Sequence, residues 1–372
     1  MSSSKKRTIR MAVVGMGHFA QSAILPAFAN TSRSVELAAL VTGDREKAKK
    51  LGRKYKVPAV DYEGYDALCA SGEIDAVYVA VPNSEHRTFT ERAARAAVHV
   101  LCEKPLAYSV EDAEAMIAAC EAANVRLMTA YRLHFEAGNL AAIKAVQTGK
   151  IGDARLFVSV HTMQIDPQNI RVDLSLGGGP AEDIGIYCLN AARYLFQSEP
   201  EEVTAFAVHG TDARFEEVPE SVSATLRFSD GRLATFLCGF GEAKVSEYRV
   251  IGTEGVLKMD PAFTWHGDIT QTISVGKRER TRNFAHRDQV AAEIDYFAKC
   301  IINDAEPEPS GREGLIDEKI IDAIRTSYRA QKPVKIEGLP SLDRRPQQSQ
   351  SIRKKPPRET KTVKVSPPSK KA

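Results

Sequence analysis

The chain has 372 residues, a length that predicts about two domains of ordinary size. Hydrophobic residues make up 43% of it and charged residues 27%, a balance that excludes a wholly disordered or collagen-like chain. The net charge of +3 is unevenly distributed, because residues 341–372 carry ten Lys and Arg against two acidic residues. The tail therefore holds +8 and the remainder of the chain −5.

Cysteines and apolar runs indicate the compartment. The six cysteines are scattered and none forms a CxxC pair, a pattern typical of reduced thiols in the cytoplasm. No run of 18 apolar residues exists, so no transmembrane helix and no membrane partner are predicted. The basic start lacks the apolar stretch and cleavage site of a signal peptide. A cytoplasmic protein is expected.

Over the first 130 residues, apolar strands alternate with amphipathic helices. The predicted strands are Ile9–Val14, Val35–Val41, Ala76–Val81, His99–Cys102 and Arg126–Ala130. The predicted helices are Phe19–Asn30, Asp44–Tyr55, Glu85–Ala97 and Val110–Ala123. Continuous apolar strands joined by helices predict a parallel sheet covered on both faces, and right-handed crossovers make it doubly wound.

The pattern changes after about residue 150, where strands follow one another through short turns. These strands are predicted at Ala154–His161, Glu202–His209, Ser221–Phe228, Arg232–Phe240, Lys244–Gly252 and Gly255–Met259. Helices are predicted at Asp183–Phe196, Asp288–Ile302 and Glu313–Ala330. Short turns imply antiparallel pairing, so we expect a C-terminal α+β domain with an open, mostly antiparallel sheet.

Four segments are therefore predicted: a flexible N-terminus (1–7), a dinucleotide-binding α/β domain (8–130), a substrate-binding and oligomerisation domain (131–337) and a disordered basic tail (338–372). An open sheet with one uncovered face predicts a homodimer or homotetramer. The tail is interpreted as a dispensable solubilising extension, with non-specific contact to a polyanion such as nucleic acid as the alternative.

A glycine-rich loop directly follows the first strand. Residues 15–20 read GxGxxA, with Gly15 suited to a tight turn and Gly17 to close approach of a pyrophosphate. His18 and Phe19 fill the variable positions, and Ala20 is small enough for helix–strand packing. Placed between a strand and a helix, the motif predicts a Rossmann dinucleotide site. A glycine-rich turn that binds nothing is the alternative.

The end of the second strand predicts which dinucleotide is bound. An acidic residue there would bind a ribose 2′-hydroxyl and repel a 2′-phosphate, but this chain has neutral Thr42 followed by Gly43. Arg45 and Lys47 are close enough in sequence to neutralise a phosphate, which favours NADP(H) over NAD(H). NAD remains an alternative because Asp44 could bind the ribose hydroxyl. The alternative for Arg45 and Lys47 is that they are solvent-exposed residues at the start of a helix.

Two later motifs make a family resemblance specific. Glu103-Lys104-Pro105 resembles the EKP motif of the Gfo/Idh/MocA oxidoreductases, and residues 177–190 (GGGPAEDIGIYCLN) resemble the second motif of that family. Many relatives carry His and Asp where this chain has Tyr187 and Asn190, and the branch similar to glucose–fructose oxidoreductase shares the DIGIYxLN context. The resemblance covers residues 8 to about 335.

The resemblance implies hydride transfer between NAD(P) and a sugar or polyol, with CH–OH converted to a carbonyl or lactone. It also implies further cofactor contacts, which are Pro82, Asn83, His86, Glu103, Lys104 and Arg132. Exported relatives of that branch hold the cofactor with an N-terminal arm, which is not expected here, so an ordinary exchanging enzyme is favoured. The alternative is a non-catalytic, dinucleotide-binding regulator on the same scaffold.

The chemistry requires a group that moves the hydroxyl proton. No cluster with zinc-ligand spacing occurs, so no metal is predicted and a side chain must serve. Lys104 follows a strand at the carboxyl edge of the sheet, and Asp183 and Tyr187 lie four apart on one helix face. These three are the predicted catalytic and substrate-binding residues, joined by Arg171 as a sugar contact. As alternatives, Lys104 is a surface lysine and Asp183 a carboxylate that stabilises a helix start. Tyr187 is then a packing residue, and Arg171 forms a structural salt bridge.

Overall fold

The computed structural model describes residues 7–339, 350–351, 353–357 and 361–368. The chain divides into two compact units, and each is discontinuous in sequence. The described residues of the first unit lie within 1–135, 287–314 and 349–367, and those of the second within 136–286, 315–348 and 368–372. The predicted domains are continuous stretches, and that division stays a prediction. Among the described residues, no helix has both the length and the apolar character needed to cross a bilayer.

The first unit contains a six-stranded, wholly parallel sheet in the order β3-β2-β1-β4-β5-β6. Its strands are β1 (Ile9–Val14), β2 (Val35–Val41), β3 (Ala59–Val60), β4 (Ala76–Val79), β5 (His99–Glu103) and β6 (Leu127–Ala130). Its helices are α1 (Leu25–Ala27), which continues a π turn at Ala20–Ile24, α2 (Arg45–Tyr55), α3 (Tyr65–Ala70), α4 (His86–Arg95), α5 (Val110–Ala122) and α8 (Gln289–Ile302).

This sheet forms because its central strands are apolar throughout. Every residue of β4 is buried, as is nearly every residue of β1, which matches burial of both faces. Polar caps fix where the helices begin: Ser109 Oγ accepts from Asp112 N (3.1 Å) and so starts α5. The strand order reverses between β1 and β4, and such a reversal opens a crevice at the carboxyl ends of the strands.

The second unit contains a nine-stranded sheet in the order β14-β13-β12-β11-β7-β10-β9-β8-β15. Its strands are β7 (Ala154–Gln164), β8 (Pro200–Val208), β9 (Ser221–Phe228), β10 (Leu233–Gly239), β11 (Gly241–Gly252), β12 (Gly255–Met259), β13 (Ile269–Val275), β14 (Arg278–Phe284) and β15 (Val334–Lys335). Its helices are α6 (Ala137–Gln147) and α7 (Ile186–Phe196), while α9 (Gly311–Ala330) contributes residues to both units. Only β7 and β10 pair in parallel, so the prediction of an open, mostly antiparallel sheet is confirmed.

One face of this sheet is apolar and exposed. Phe206 is 67% exposed and Leu237 48%, and the strand pairings place both in one cross-strand row with Val160 of β7. Leu156, Val158 and Val208 extend the same apolar surface. The opposite side chains, such as Phe236 and Leu226, are fully buried. The alternation is that of a sheet packed on one face only.

The sequence did not predict β3, α3, α6, β13, β14 or the two-residue β15. Strand β3 has two residues, too short to show periodicity, and β14 (RERTRNF) is charged on both faces. The helix predicted at Asp183–Phe196 begins instead with a π turn, Ala181–Gly185, which includes Asp183. Single π turns are frequent at functional sites.

Candidate functional site

The glycine loop between β1 and the first helix has the geometry that a dinucleotide requires. Gly15 has φ +92°, and a Cβ there would lie 2.4 Å from the Ala80 carbonyl oxygen. A Cβ on Gly17 would meet nothing within 4 Å, so this backbone is open to an approaching group. His18 and Phe19 begin the helix and Ala20 is buried. The loop therefore fits a bound pyrophosphate.

At the end of β2, Asp44 is engaged as a helix cap. Its Oδ1 accepts from the N–H groups of Glu46 (2.8 Å) and Lys47 (3.0 Å) at the start of α2. These bonds hold the pKa of Asp44 below its ordinary value. Thr42, two residues before Asp44 in the same turn, is buried. Asp44 was the reason that NAD remained an alternative in the sequence analysis, and its carboxylate is used here to cap α2.

A cavity of about 780 Å³ opens beside this turn. Thr42 and Gly43 line it together with three cations, Arg45, Lys49 and Arg53, and two acidic residues, Asp61 and Glu63, so cations exceed carboxylates by one. The last two cations were not predicted, although they follow Arg45 at helical spacings of four residues along α2. The cluster supplies positive charge where a 2′-phosphate would need it.

His86 connects two of the predicted cofactor loops. It is fully buried at the start of α4, after the short turn that Pro82 and Asn83 begin. Its Nε2 lies 3.1 Å from the Val81 carbonyl oxygen, and its Nδ1 lies 3.0 Å from that of Pro105. Burial lowers the pKa of His86 to about 4, so the ring is neutral near pH 7 and its single N–H can donate to only one of these carbonyl oxygens.

Behind Lys104, a buried polar network supports the EKP segment. Tyr78 Oη donates to Glu103 Oε1 (2.7 Å) and also lies 3.2 Å from Glu293 Oε2 on α8. Burial and the neighbouring Glu103 raise the pKa of Glu293 well above its ordinary value, which favours the neutral acid. Arg132, buried after β6, donates to Gln289 Oε1 (2.8 Å) on the same helix.

In the second unit, Arg171 and Asp183 form a close ion pair. Arg171 Nε donates to Asp183 Oδ2 at 2.6 Å. The triple glycine makes this possible, because a Cβ on Gly178 would lie 2.5 Å from the Arg171 carbonyl oxygen. The backbone of Gly178 thus lies close to the loop that carries Arg171 and Asp173. Asp173, on that loop, caps Ser175.

Tyr187, four residues after Asp183, lies half-buried in an aromatic cluster. Its ring centroid is 5.8 Å from that of His161 on β7 and 6.1 Å from that of Phe263. His161 Nδ1 lies 3.3 Å from the Ile184 carbonyl oxygen, in the π turn that carries Asp183. No sequence motif contains His161, and only the fold shows its place beside Tyr187.

The predicted residues therefore gather in two groups. The glycine loop, the β2 turn, the His86 loops, Lys104 and Arg132 belong to the first unit, and Arg171, Asp183 and Tyr187 to the second. Within the described residues, no three His, Cys, Asp or Glu side chains are arranged to hold a metal ion.

Family models match two successive stretches of the chain. Residues 9–131 match the family described as oxidoreductase family, NAD-binding Rossmann fold. Residues 139–258 match the GFO/IDH/MocA C-terminal domain. The chain is 33% identical to a D-xylose 1-dehydrogenase [NADP(+)] of Haloarcula marismortui, over 87% of this chain and 91% of that protein.

Solved structures extend the likeness. An aldose-aldose oxidoreductase from Caulobacter crescentus, complexed with glycerol, is 40% identical with a TM-score of 0.85, covering 88% of this chain and all of the other. A 3-ketoreductase from Actinomadura kijaniata, in complex with NADP and TDP-benzene, is 28% identical with a TM-score of 0.79, covering 86% and 98%. The resemblance and the fold predicted from sequence are confirmed, and the chain belongs to the GFO/IDH/MocA oxidoreductase family.

Proposed function

We propose that this protein is an NADP-dependent oxidoreductase that transfers a hydride between nicotinamide and the CH–OH carbon of a sugar or polyol. The observation that carries the proposal is near full-length similarity to an aldose-aldose oxidoreductase and an NADP-dependent D-xylose dehydrogenase. The fold supplies a glycine loop that fits a dinucleotide and, in the second unit, a polar cluster suited to sugar hydroxyls.

The β2 turn supports the preference for NADP(H) over NAD(H). The Asp44 carboxylate that would bind a ribose 2′-hydroxyl is occupied by the first N–H groups of α2. Beside it, Thr42 is neutral, and the cavity carries Arg45, Lys49 and Arg53. A 2′-phosphate dianion is stabilised by such a set of cations.

Lys104, Asp183 and Tyr187 are the residues to which we assign the proton side of the reaction. When bound, the dinucleotide supplies or accepts the hydride. Tyr187 is assigned as the acid or base at the reacting oxygen, and Lys104 as the cation that orients that hydroxyl. Asp183 accepts hydrogen bonds from sugar hydroxyls, and its pairing with Arg171 keeps the carboxylate in one orientation. The Actinomadura enzyme has also been solved with a lysine replaced by alanine and a tyrosine by phenylalanine.

The first prediction tests this assignment. Purified full-length protein is supplied with NADP⁺ and a panel of aldoses and inositols while the absorbance of reduced nicotinamide is followed. With the best substrate, Lys104→Ala and Tyr187→Phe should each lower kcat by about 10²- to 10⁴-fold, the range for a lost proton-transfer group. Lys335→Ala and Tyr328→Phe, which change the same residue types elsewhere, should leave kcat within about twofold.

The outcomes separate the alternatives. Full activity of both Lys104→Ala and Tyr187→Phe would remove the assigned mechanism. Tight NADP(H) binding without turnover of any sugar or polyol would favour a regulator instead of an enzyme.

We also propose a homodimer or homotetramer that covers the apolar face of the nine-stranded sheet. Exposed Phe206, Leu237 and Val158 support it, because a contiguous apolar surface of this kind marks an interface with another copy. The cytoplasmic location stays a prediction from the sequence.

A further inference from the structure

The C-terminal tail returns to the dinucleotide loop. Val363 N donates to Gln21 Oε1 (2.7 Å), and Gln21 Nε2 donates to the Val363 carbonyl oxygen (3.0 Å). Gln21 is buried in the first helix, and its Nε2 also donates to the carbonyl oxygen of Met16 within the glycine loop (2.9 Å). One side chain thus joins residue 363 to the loop that fits a pyrophosphate.

A second contact of the tail lies at the β2 turn. Lys364 Nζ lies 3.4 Å from Asp44 Oδ2 and 3.0 Å from Glu46 Oε2. Lys364 has φ +50°, an uncommon conformation for a side-chain-bearing residue, and Thr362 Oγ1 donates to the Val365 carbonyl oxygen (3.1 Å) across it. The turn therefore directs the ammonium towards the two carboxylates.

The preceding part of the tail is fastened to the same unit. Asp288 N donates to the Lys354 carbonyl oxygen (2.9 Å), and Asn30 Nδ2 donates to that of Lys355 (2.7 Å). Lys354 Nζ donates in return to the Asn30 carbonyl oxygen (2.9 Å). Residues 353–357 and 361–364 are thus held at separate places on the first unit, so the contact at Lys364 does not stand alone.

At the β2 turn, Lys364 partly neutralises two carboxylates. Asp44 and Glu46 place two negative charges at the start of α2, beside the turn where a Rossmann fold holds the ribose of its dinucleotide. Although Asp44 is engaged as a cap, the charge of both groups would repel a 2′-phosphate. Lys364 opposes both carboxylates, and its raised pKa, caused first by the hydrogen bond with Glu46, keeps it charged. The Caulobacter relative is matched over its full length by 88% of this chain, so this chain carries residues beyond that shared part.

We propose that residues 362–364 form part of the cofactor site and that Lys364 determines preference for the 2′-phosphate of NADP. The Val363–Gln21 pairing holds the segment along the adenosine half, and the Lys364 ammonium offsets Asp44 and Glu46 at its end. The tail is then a binding element in place of a dispensable extension. This assignment rests on the proposed use of NADP, and it does not depend on which sugar reacts.

The second prediction is a change in nucleotide preference, measured by titrating full-length protein with NADPH and NADH in the absence of sugar. Lys364→Met should weaken NADPH binding by about tenfold, as expected for loss of a charged partner, and NADH binding by less than about twofold. Lys361→Met removes the same charge from the exposed residue that precedes residues 362–364, and it should leave both affinities unchanged. Equal loss for both nucleotides, no loss, or the same loss in Lys361→Met would overturn the proposal.

Amide exchange at Val363 provides a second readout that needs no substitution. Because its N–H is bonded to Gln21, the amide should exchange slowly, and more slowly still with NADPH bound than with NADH. Exchange at the rate of an open chain in the NADPH complex would contradict the proposal. If the protein showed these effects but turned over no sugar, the proposed enzymatic function would be wrong and the assignment of Lys364 would still hold.

Discussion

The two glycines of the dinucleotide loop meet different physical constraints. Gly15 is required by the fold itself, because of its left-handed φ and the Ala80 carbonyl oxygen behind it. Gly17 is not, since a methyl group there would meet open space. The second glycine is thus explained by the ligand that the loop fits.

The third prediction uses this difference. Gly15→Ala should lower the free energy of unfolding by about 2 kcal/mol or more, from left-handed strain and steric overlap. Gly17→Ala should change it by less than about 0.5 kcal/mol, yet weaken NADPH binding at least about tenfold. Urea unfolding and nucleotide titration measure the two effects. Equal losses of stability in both variants would show that the loop geometry has been misassigned.

At this scale the sequence revealed residues whose role is local. The GxGxxA loop and the Thr42 turn were predicted from their neighbours along the chain, and EKP from its resemblance to the family motif. Tyr78 was placed only as a strand residue, since its partner Glu293 lies 215 residues away. His161 was missed beside Tyr187 for the same reason, as its neighbours come from other elements.

At the scale of elements, His86 ties the segment after β4 to the segment after β5. Both ring nitrogens face backbone carbonyl oxygens, and burial lowers the pKa of His86 from 6.5 to about 4. A histidine whose folded pKa is depressed contributes stability that is fully present above pH 6.5. That contribution is lost as the pH falls from 6.5 towards 4, because the unfolded chain then binds the proton first.

The fourth prediction concerns this pH window. Since a shift of one pKa unit corresponds to 1.36 kcal/mol, the stability that His86 loses across this range is about 3 kcal/mol. Relative to wild type, His86→Gln should therefore flatten the fall of the unfolding free energy between pH 6.5 and 4, whatever its cost at pH 7. Wild type and variant are compared by urea unfolding at several pH values. An unchanged difference between them across this range would contradict the titration of His86.

The helix order was largely predictable, whereas the way two helices begin was not. Both the first helix and the Asp183 helix start with a π turn. Their apolar spacing is compatible with an ordinary α-helix, and a single inserted residue leaves little trace in a short pattern. The added turn changes which side chains align at the helix start, where Asp183 lies.

At the scale of the whole molecule, the nine-stranded sheet exposes one apolar face. The row from Phe206 through Ser223 and Leu237 to Val160 crosses strands that pair in register, so Leu237 lies within this exposed face and not at its edge. Sequence alternation predicted that one face would be uncovered. It could not show which strands lie side by side, since β7 pairs with β10 and β11 rather than with its neighbour in sequence, β8.

The fifth prediction follows from that surface. Leu237→Asp should shift the assembly towards monomers in sedimentation velocity, because a buried, unpaired carboxylate opposes association. Tyr108→Asp, which changes an exposed residue of the first unit, should leave the assembly unchanged. An identical sedimentation profile for wild type and Leu237→Asp would remove this face as the interface.

The discontinuity of the first unit has a consequence for biosynthesis. Strand β6 receives its outer partner from residues 309–310, since Thr129 N donates to the Pro309 carbonyl oxygen (2.8 Å) and Met128 bridges to Ser310. At roughly 5–20 residues per second, a ribosome needs on the order of 10 to 40 s to proceed from residue 135 to residue 314. During that interval the nascent dinucleotide unit has an unpaired sheet edge and no α8. A cofactor site begun by the first fifteen residues is thus completed late in translation.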